Sequence, residues 1–350
     1  MRTLSLAVAA GAATLAAIGV ASPAWAVTKA VYASGVTAPG GALWLKDQTT
    51  VGGHLWVSDH LNGFCRLDPV DATGATATLN TASCLVFGAT TQPAYDPVGK
   101  WVYIPDISRP ALGVRKVAFN PATGLLNRLK QSTLAAPLDG RGRGLRLTAA
   151  AVDSKGSLYI GGRADGTIYR YAAASHAAGA AGAAQPVAST EDGAPVLGLA
   201  FGKTVVVTDP TTVPPTTATT DDLYAAGTTV MVRPDLYGVD PGLGLDPCTP
   251  AAPCTAVDPG FGIFGPQSVA YDGKYVYAGD VTALYRINPA DLAKVSYATG
   301  FANLSAIAVS DQVRNATTGA VTARKVFGGD DPTAGAAIGL GHVYRMNRKP

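Results

Sequence analysis

The side chains best placed to do chemistry are five aspartates, Asp59, Asp106, Asp209, Asp280 and Asp330, each at or near the end of a short stretch rich in Val, Tyr, Trp and Ile. The stretches are His54-Leu55-Trp56-Val57-Ser58-Asp59, Trp101-Val102-Tyr103-Ile104-Pro105-Asp106, Val205-Val206-Val207-Thr208-Asp209, Tyr275-Val276-Tyr277-Ala278-Gly279-Asp280 and Val326-Phe327-Gly328-Gly329-Asp330. If these are equivalent strands, their carboxylates face one side of the molecule, and converging carboxylate oxygens suit a hard cation such as Ca2+. The competing role is structural: an Asp at a strand end caps its turn by accepting backbone N–H bonds. Repetition favours the cap, because a repeated residue usually serves the repeat. A second candidate is the basic segment 122–146, which holds Arg128, Lys130, Arg141, Arg143 and Arg146 among Gly140, Gly142 and Gly144, with Asp139 its one acid. Arg forks on flexible backbone can hold an anion, although a solvated loop is the simpler reading.

Other signatures are missing. There is no G-x-S-x-G, H-E-x-x-H or P-loop pattern. Gly260-Phe261-Gly262-Ile263-Phe264-Gly265 matches G-x-G-x-x-G, but Pro266 and a strand follow it. It therefore lacks the helix N-terminus that would receive a pyrophosphate.

The elements that must position these residues are strands. The chain has 350 residues with 41 Gly, 24 Pro and 47% hydrophobic residues, and of its 24 acidic residues one, Glu191, is Glu. Disordered chains are poorer in apolar residues and coiled coils tolerate little Gly or Pro. Aspartate in place of glutamate points to turns rather than helix surfaces.

Residues 1–26 read as a secretory signal. Arg2 opens it, Leu4 to Val20 is apolar and small, and Ala24-Trp25-Ala26 closes it as an A-x-A cleavage site. No later stretch approaches the roughly 18–20 apolar residues that span a bilayer. The formal net charge is +3, falling by one when Arg2 is removed. That is too small for the broad basic face that nucleic acid requires. The expectation is export, to periplasm or medium, with no membrane span and no nucleic-acid partner. Four cysteines in an exported chain favour disulfides. Cys248 and Cys254 flank a five-residue Thr-Pro-Ala-Ala-Pro loop and should pair locally, leaving Cys65 with Cys84.

Aligned on itself, the chain shows one pattern six times: a first strand ending near Asp, a turn, a second strand ending near Asp, and a third carrying Arg or Lys. First strands are Ala42–Asp47, Pro93–Asp96, Ala149–Asp153, Leu197–Phe201, Ser268–Asp272 and Ala306–Asp311. The second-strand set adds Leu158–Gly162 to the five stretches above. Third strands include Phe64-Cys65-Arg66-Leu67, Ile168-Tyr169-Arg170-Tyr171, Val230-Met231-Val232-Arg233, Leu284-Tyr285-Arg286-Ile287 and Val343-Tyr344-Arg345-Met346, with the basic residue displaced in Val114-Arg115-Lys116-Val117. The repeat length, about 53 residues, lies in the range of propeller blades. No unit can bury both faces alone, but six packed about an axis can. The expected fold is all-β, a β-propeller of six blades spanning 27–350, with the segment around Ala30-Val31-Tyr32 completing the last blade. Insertions are expected at 122–146, 173–190 and 209–265.

This pattern resembles the NHL-repeat and YVTN-type propellers, and distantly the gluconolactonase-like and streptogramin-lyase-like proteins, over roughly residues 40–347. The resemblance implies a cation-centred site in the lactonase-like members, built from Glu, Asn and Asp. Here Glu191, His60 and Asn62 could serve with the Asp series. Lyase-like members depend on His and Glu near a metal, and this chain has four His, namely His54, His60, His176 and His342. Two functions follow as expectations: an exported binding or scaffold propeller that takes a protein, a surface polymer or a small ligand on one face, or a cation-dependent lactonase- or lyase-like enzyme with its site at the central channel.

Overall fold

The computed structural model describes residues 27–48, 52–70, 75–86, 91–106, 113–139, 141–172, 184–209, 211–240, 243, 245–310, 324–332 and 341–347. The proposed signal segment, His176 and Asp311 lie outside them. The described chain is all-β, with 24 strands and no helix among the described residues.

After β1 (Lys29–Val36), the strands form six sheets. The first is β2 (Ala42–Leu45), β3 (His54–Asp59), β4 (Gly63–Pro69) and β5 (Ala77–Leu85). The second is β6 (Ala94–Asp96), β7 (Trp101–Pro105), β8 (Val114–Asn120) and β9 (Leu125–Leu134). The third is β10 (Leu147–Val152), β11 (Leu158–Gly162), β12 (Thr167–Tyr171) and β13 (Gln185–Thr190). The fourth is β14 (Gly198–Asp209), β15 (Thr216–Ala226) and β16 (Val230–Arg233), after which β17 (Cys254–Ala256) returns to pair in parallel with β13. The fifth is β18 (Val269–Tyr271), β19 (Val276–Gly279), β20 (Ala283–Ile287) and β21 (Lys294–Thr299). The sixth is β22 (Leu304–Val309), β23 (Lys325–Asp330) and β24 (Gly341–Asn347), completed by β1 in register Lys29 with Met346 and Val36 with Gly341.

The first strands β2, β6, β10, β14, β18 and β22 contact one another in chain order, and β22 returns to β2. The sheets therefore stand in a closed ring with these strands innermost. Side chains alternate across each strand, so every sheet offers an apolar face to each neighbour. Six buried clusters result, one per junction. Leu45, Trp56 and Phe64 of the first sheet meet Val102, Ile104 and Val117 of the second. Burying a side chain of this size contributes about 1.5–3 kcal/mol, so the junctions hold the sheets together. The third-strand cations pack within this scheme: Lys116 Nζ lies 4.1 Å from the Trp101 ring centroid, the Arg286 guanidinium 4.4 Å from that of Tyr275, and Arg66 chelates Asp68.

The fourth sheet departs from the expected pattern. Leu197–Phe201 and Val205–Asp209 are not two strands. They fall in or beside β14, which runs straight through Gly202-Lys203, and the second strand is β15, inside the range 209–265 expected as an insertion. The reason is local. Gly202-Lys203 has no Asp to cap a turn, and both residues stay in register, opposite Asp222 and Asp221. Basic segment 122–146 likewise contains β9, whose Arg128 and Lys130 are exposed on an outer strand, where charge blocks stray pairing. Within 173–190, Gln185–Thr190 is strand β13. Both disulfides form as paired above, Cys65 with Cys84 across β4 and β5, and Cys248 with Cys254 around their small loop. In the chain-entropy account, a 19-residue closure such as the first contributes about 3 kcal/mol.

Closure by β1 is testable. β1 buries Tyr32, Ala33 and Val36 against the sixth sheet and the first. A chain starting at Thr37 should lose at least ~4 kcal/mol, and hydrogen exchange should open β24 first. Unchanged unfolding in denaturant would show that the ring closes without β1.

Candidate functional site

The inner strands enclose a channel of about 530 Å3, lined by residues of all six sheets. Its two ends differ. At the end where the inner strands start, the positions equivalent by register are Gly41, Gln92, Ala149, Gly198, Ser268 and Ala306, five small residues and one long one. The long one crosses the axis. Gln92 is 6% exposed. Its Nε2 donates to the Leu199 carbonyl at 2.6 Å and the Val269 carbonyl at 2.7 Å, on the fourth and fifth sheets. Its Oε1 accepts from Ser268 Oγ at 3.2 Å and from Val269 N–H at 3.3 Å. Its carbonyl accepts from Ala150 N–H of the third sheet, and Ser268 Oγ accepts in turn from Ile307 N–H of the sixth. The glycines make room: a Cβ on Gly198 would lie 2.7 Å from Gln92 Oε1, and one on Gly41 would collide with the Thr91 carbonyl. Thr148 and Ser305 use their hydroxyls on the Val196 and Pro39 carbonyls, just ahead of the next inner strand. The channel is thus crossed at this end by a satisfied amide.

The other end lies where the inner strands finish. Lys46, Tyr95, Val98, Ser154, Lys203 and Tyr271 line it. The carboxylates here are engaged by their own turns. Asp96 Oδ1 accepts from Val98 N–H at 2.9 Å and Gly99 N–H at 3.1 Å. Asp153 Oδ1 accepts from Lys155 and Ser157 N–H at 2.9 and 2.8 Å, and its Oδ2 from the Tyr237 hydroxyl. Asp47 holds the buried His54 Nδ1 at 2.6 Å. Burial, followed by the neighbouring Asp272 charge, pushes the Tyr271 phenol up from its usual range. Asp222 in the fourth sheet is also pushed up by burial, against bonds from Asp235 N–H and the Thr204 and Thr220 hydroxyls.

Of the five second-strand aspartates, Asp59, Asp106, Asp280 and Asp330 do sit at the ends of equivalent strands, β3, β7, β19 and β23. Asp209 does not. It lies at the tip of the β14–β15 hairpin, toward the opposite end, bonded by Thr211 N–H and Oγ1. Asp59, Asp280 and Asp330 cap backbone. Asp59 accepts from Leu61 N–H, Asn62 N–H and Asn62 Nδ2 on one oxygen and from Thr37 N–H at 2.7 Å on the other. Asp280 accepts from Thr282 and Ala283 N–H and from the Tyr285 hydroxyl. Asp330 accepts from Ala302 and Asn303 N–H. Donors aimed at these oxygens oppose a cation, and no group of three or more His, Cys, Asp or Glu able to hold a metal forms among the described residues. The oxygens of Asp59, Asp280 and Asp330 are therefore not free for Ca2+.

Glu191 is exposed on the outer rim, accepting from Asp258 N–H at 3.3 Å, away from the channel. His60 is exposed and bonds the Thr37 carbonyl through its backbone. Arg141 and Arg143 lie in a turn organised by Asp139, which accepts both their N–H groups and the Arg143 guanidinium at 2.9 Å. The Arg143 N–H, foremost, holds the Asp139 carboxyl below its usual range. Gln92 was missed by sequence reasoning, although the odd long residue among five small ones was its visible signal.

The amide bridge predicts its own test. Gln92→Leu keeps the bulk but leaves the Leu199 and Val269 carbonyls without this donor, which should cost about 3 kcal/mol in denaturant unfolding. Gly198→Ala should have a similar effect through the clash with Oε1. If both variants match the parent within about 0.5 kcal/mol, the bridge is dispensable.

No family model matches the chain, and no curated protein matches it. Solved structures do. A PQQ-bound aldose sugar dehydrogenase from Streptomyces coelicolor is 16% identical with a TM-score of 0.50, over 93% of this chain and 99% of that one. A gluconolactonase from Xanthomonas campestris is 12% identical with a TM-score of 0.54, over 92% and 90%. A Trichoderma reesei carbohydrate-active enzyme of family AA12 is 11% identical with a TM-score of 0.52, over 92% and 96%. At these identities the likeness concerns the fold: the chain is a β-propeller.

Proposed function

We propose that the protein is an exported six-bladed propeller of NHL type, each sheet one blade, that binds a small polar molecule in its axial channel. The observation that carries this is the Gln92 bridge, which turns a through-hole into a one-ended pocket. A pocket of about 530 Å3 lined by all six sheets matches the size of small-molecule sites. It offers more than the rim loops that a scaffold would present to a protein or a surface polymer. Two disulfides suit an oxidising compartment, and the 1–26 segment supplies the export address.

A second reading is that the bound molecule is turned over. The compared proteins are named as a sugar dehydrogenase, a gluconolactonase and a carbohydrate-active enzyme, which favours sugar chemistry at least as well as passive binding. Such an enzyme would not draw its cation ligands from Asp59, Asp280 and Asp330, whose oxygens accept from backbone N–H groups.

Thermal unfolding of the secreted chain with a panel of monosaccharides, lactones and sugar acids tests the pocket. Ligand at a hundred times its Kd stabilises by about 2.7 kcal/mol, and Ala270→Phe, which adds a ring at a half-buried channel position, should abolish the shift. Retention on a surface polymer with no small-molecule shift would return the reading to a rim binder. Hydrolysis of glucono-δ-lactone in a pH-stat, lost in Ala270→Phe, would establish turnover. The secreted form should begin at Val27, and a longer N-terminus would remove the cleavage assignment.

A further inference from the structure

The charged side chains lining the open end of the channel, Lys46, Lys203, Asp96 and Asp153, differ in how they are held. Lys46 follows β2 of the first sheet, and Lys203 lies in β14 of the fourth. In a ring of six the first and fourth sheets are opposite, so the two ammonium groups stand on opposite walls of one cavity. Lys203 occupies the place where other repeats carry the turn-capping Asp, so the run-on of β14 is what puts a cation there.

Both lysines are exposed, and no carboxylate of the described residues lies within 4.0 Å of either amine. They also differ from Lys116, Lys155, Lys274 and Lys294, which rest on aromatic rings. The nearby acids form no ion pair with them. Asp96 and Asp153 are engaged by their turns. Asp221, the cross-strand partner of Lys203, is 3% exposed; its Oδ2 accepts from Ser154 N–H and Oγ, and its buried Oδ1 has no hydrogen-bond partner among the described residues. A second opposed pair, Tyr95 of the second sheet and Tyr271 of the fifth, also lines the cavity. Two exposed ammonium groups on opposite walls can each donate to one small anion between them, whereas the carboxylates of the lining have their Oδ1 atoms held by turn N–H groups.

We propose that the open end of the channel is an anion site, in which Lys46 and Lys203 hold a small carboxylate- or phosphate-bearing molecule from opposite sides while its carbon skeleton enters the channel past Tyr95 and Tyr271. This rests on the reading that the channel takes a small molecule, and adds the charge that molecule must carry. It also sets the site at the end away from Asp59, Asp106, Asp280 and Asp330, and away from the Arg141–Arg143 turn.

The test uses the full secreted chain and three probes sharing one skeleton: glucose, gluconate and glucose 6-phosphate. Calorimetric titration at about 20 mM salt should show one or both anions binding at least about tenfold more tightly than glucose, an advantage that shrinks at about 200 mM salt. Lys46→Ala and Lys203→Ala should each weaken anion binding by about fivefold or more and leave that of glucose unchanged, while Lys46→Arg restores most of it. The preferred anion should also slow acetylation of Lys46 and Lys203, read by mass spectrometry, but not that of Lys100. A carboxylate source is indicated if gluconate alone gains, a phosphate source if glucose 6-phosphate alone does. Glucose binding as tightly as both anions, with loss in Ala270→Phe, would overturn the anion assignment and leave the channel reading standing. No binding of any probe and no protection of either lysine would overturn the anion site, and the channel reading would fail with it if the wider panel also gave no shift.

Discussion

The amide of Gln92 joins opposite walls of a ring, and much of the molecule's character follows from that contact. Six sheets that pack face to face need no helix to cover them, but they leave an axis. Backbone carbonyls of the inner strands point toward it, and a buried carbonyl without a donor costs free energy. One long amide meets this need for Leu199 and Val269 at once and binds the second sheet to the fourth and fifth. Five small residues at the matching positions are the steric condition for it. Because the bridge lies at one end, the remaining space opens at the other, and any ligand chemistry is directed there.

The aspartates show how the same residue type can suggest catalysis and perform architecture. Carboxylates recur at both ends of the sheets, and at nearly every described position their oxygens accept from turn or connector N–H groups. Asp59 bonds Thr37 N–H just after β1, and Asp330 bonds the connector between β21 and β22. They therefore fasten neighbouring sheets as well as capping their own turns. Backbone N–H groups aimed at these oxygens take the directions a cation would need, and no cluster able to hold a metal forms among the described residues. With those carboxylates engaged, the exposed lysines of the open end are the charged groups of the lining with donors to spare.

Much of the architecture was legible because a β-propeller repeats its local signals. Period-two alternation, Asp-Gly turns and Tyr-Arg third strands located nearly all the inner, second and third strands of five sheets, and the adjacent Cys248 and Cys254 left one partner choice for Cys65. The fourth sheet misled for a physical reason. Apolar Val205-Val206-Val207 carries the period of a second strand, yet with no capping Asp at Gly202-Lys203 nothing reverses the chain, and β14 extends to Asp209. The Thr-rich partner β15 looked like a loop because its outer half is exposed and polar, although Asp221 to Ala226 are buried. In the second sheet β9 was hidden by its charge, since an outer strand has one solvated face and needs little apolar pattern.

Strand order, the all-β class and the disulfide pairs are properties of neighbouring residues, so they can be read along the chain. Which side chains meet across the axis is not, because Gln92 and Val269 are brought together by the closure of the whole ring. The same holds for Lys46 and Lys203, whose opposition exists only once six sheets have closed and β1 has returned to β24. A one-dimensional pattern carries no information about diametric distance, and this is why the aspartates stood out in the sequence while the amide bridge and the two lysines became visible in the fold.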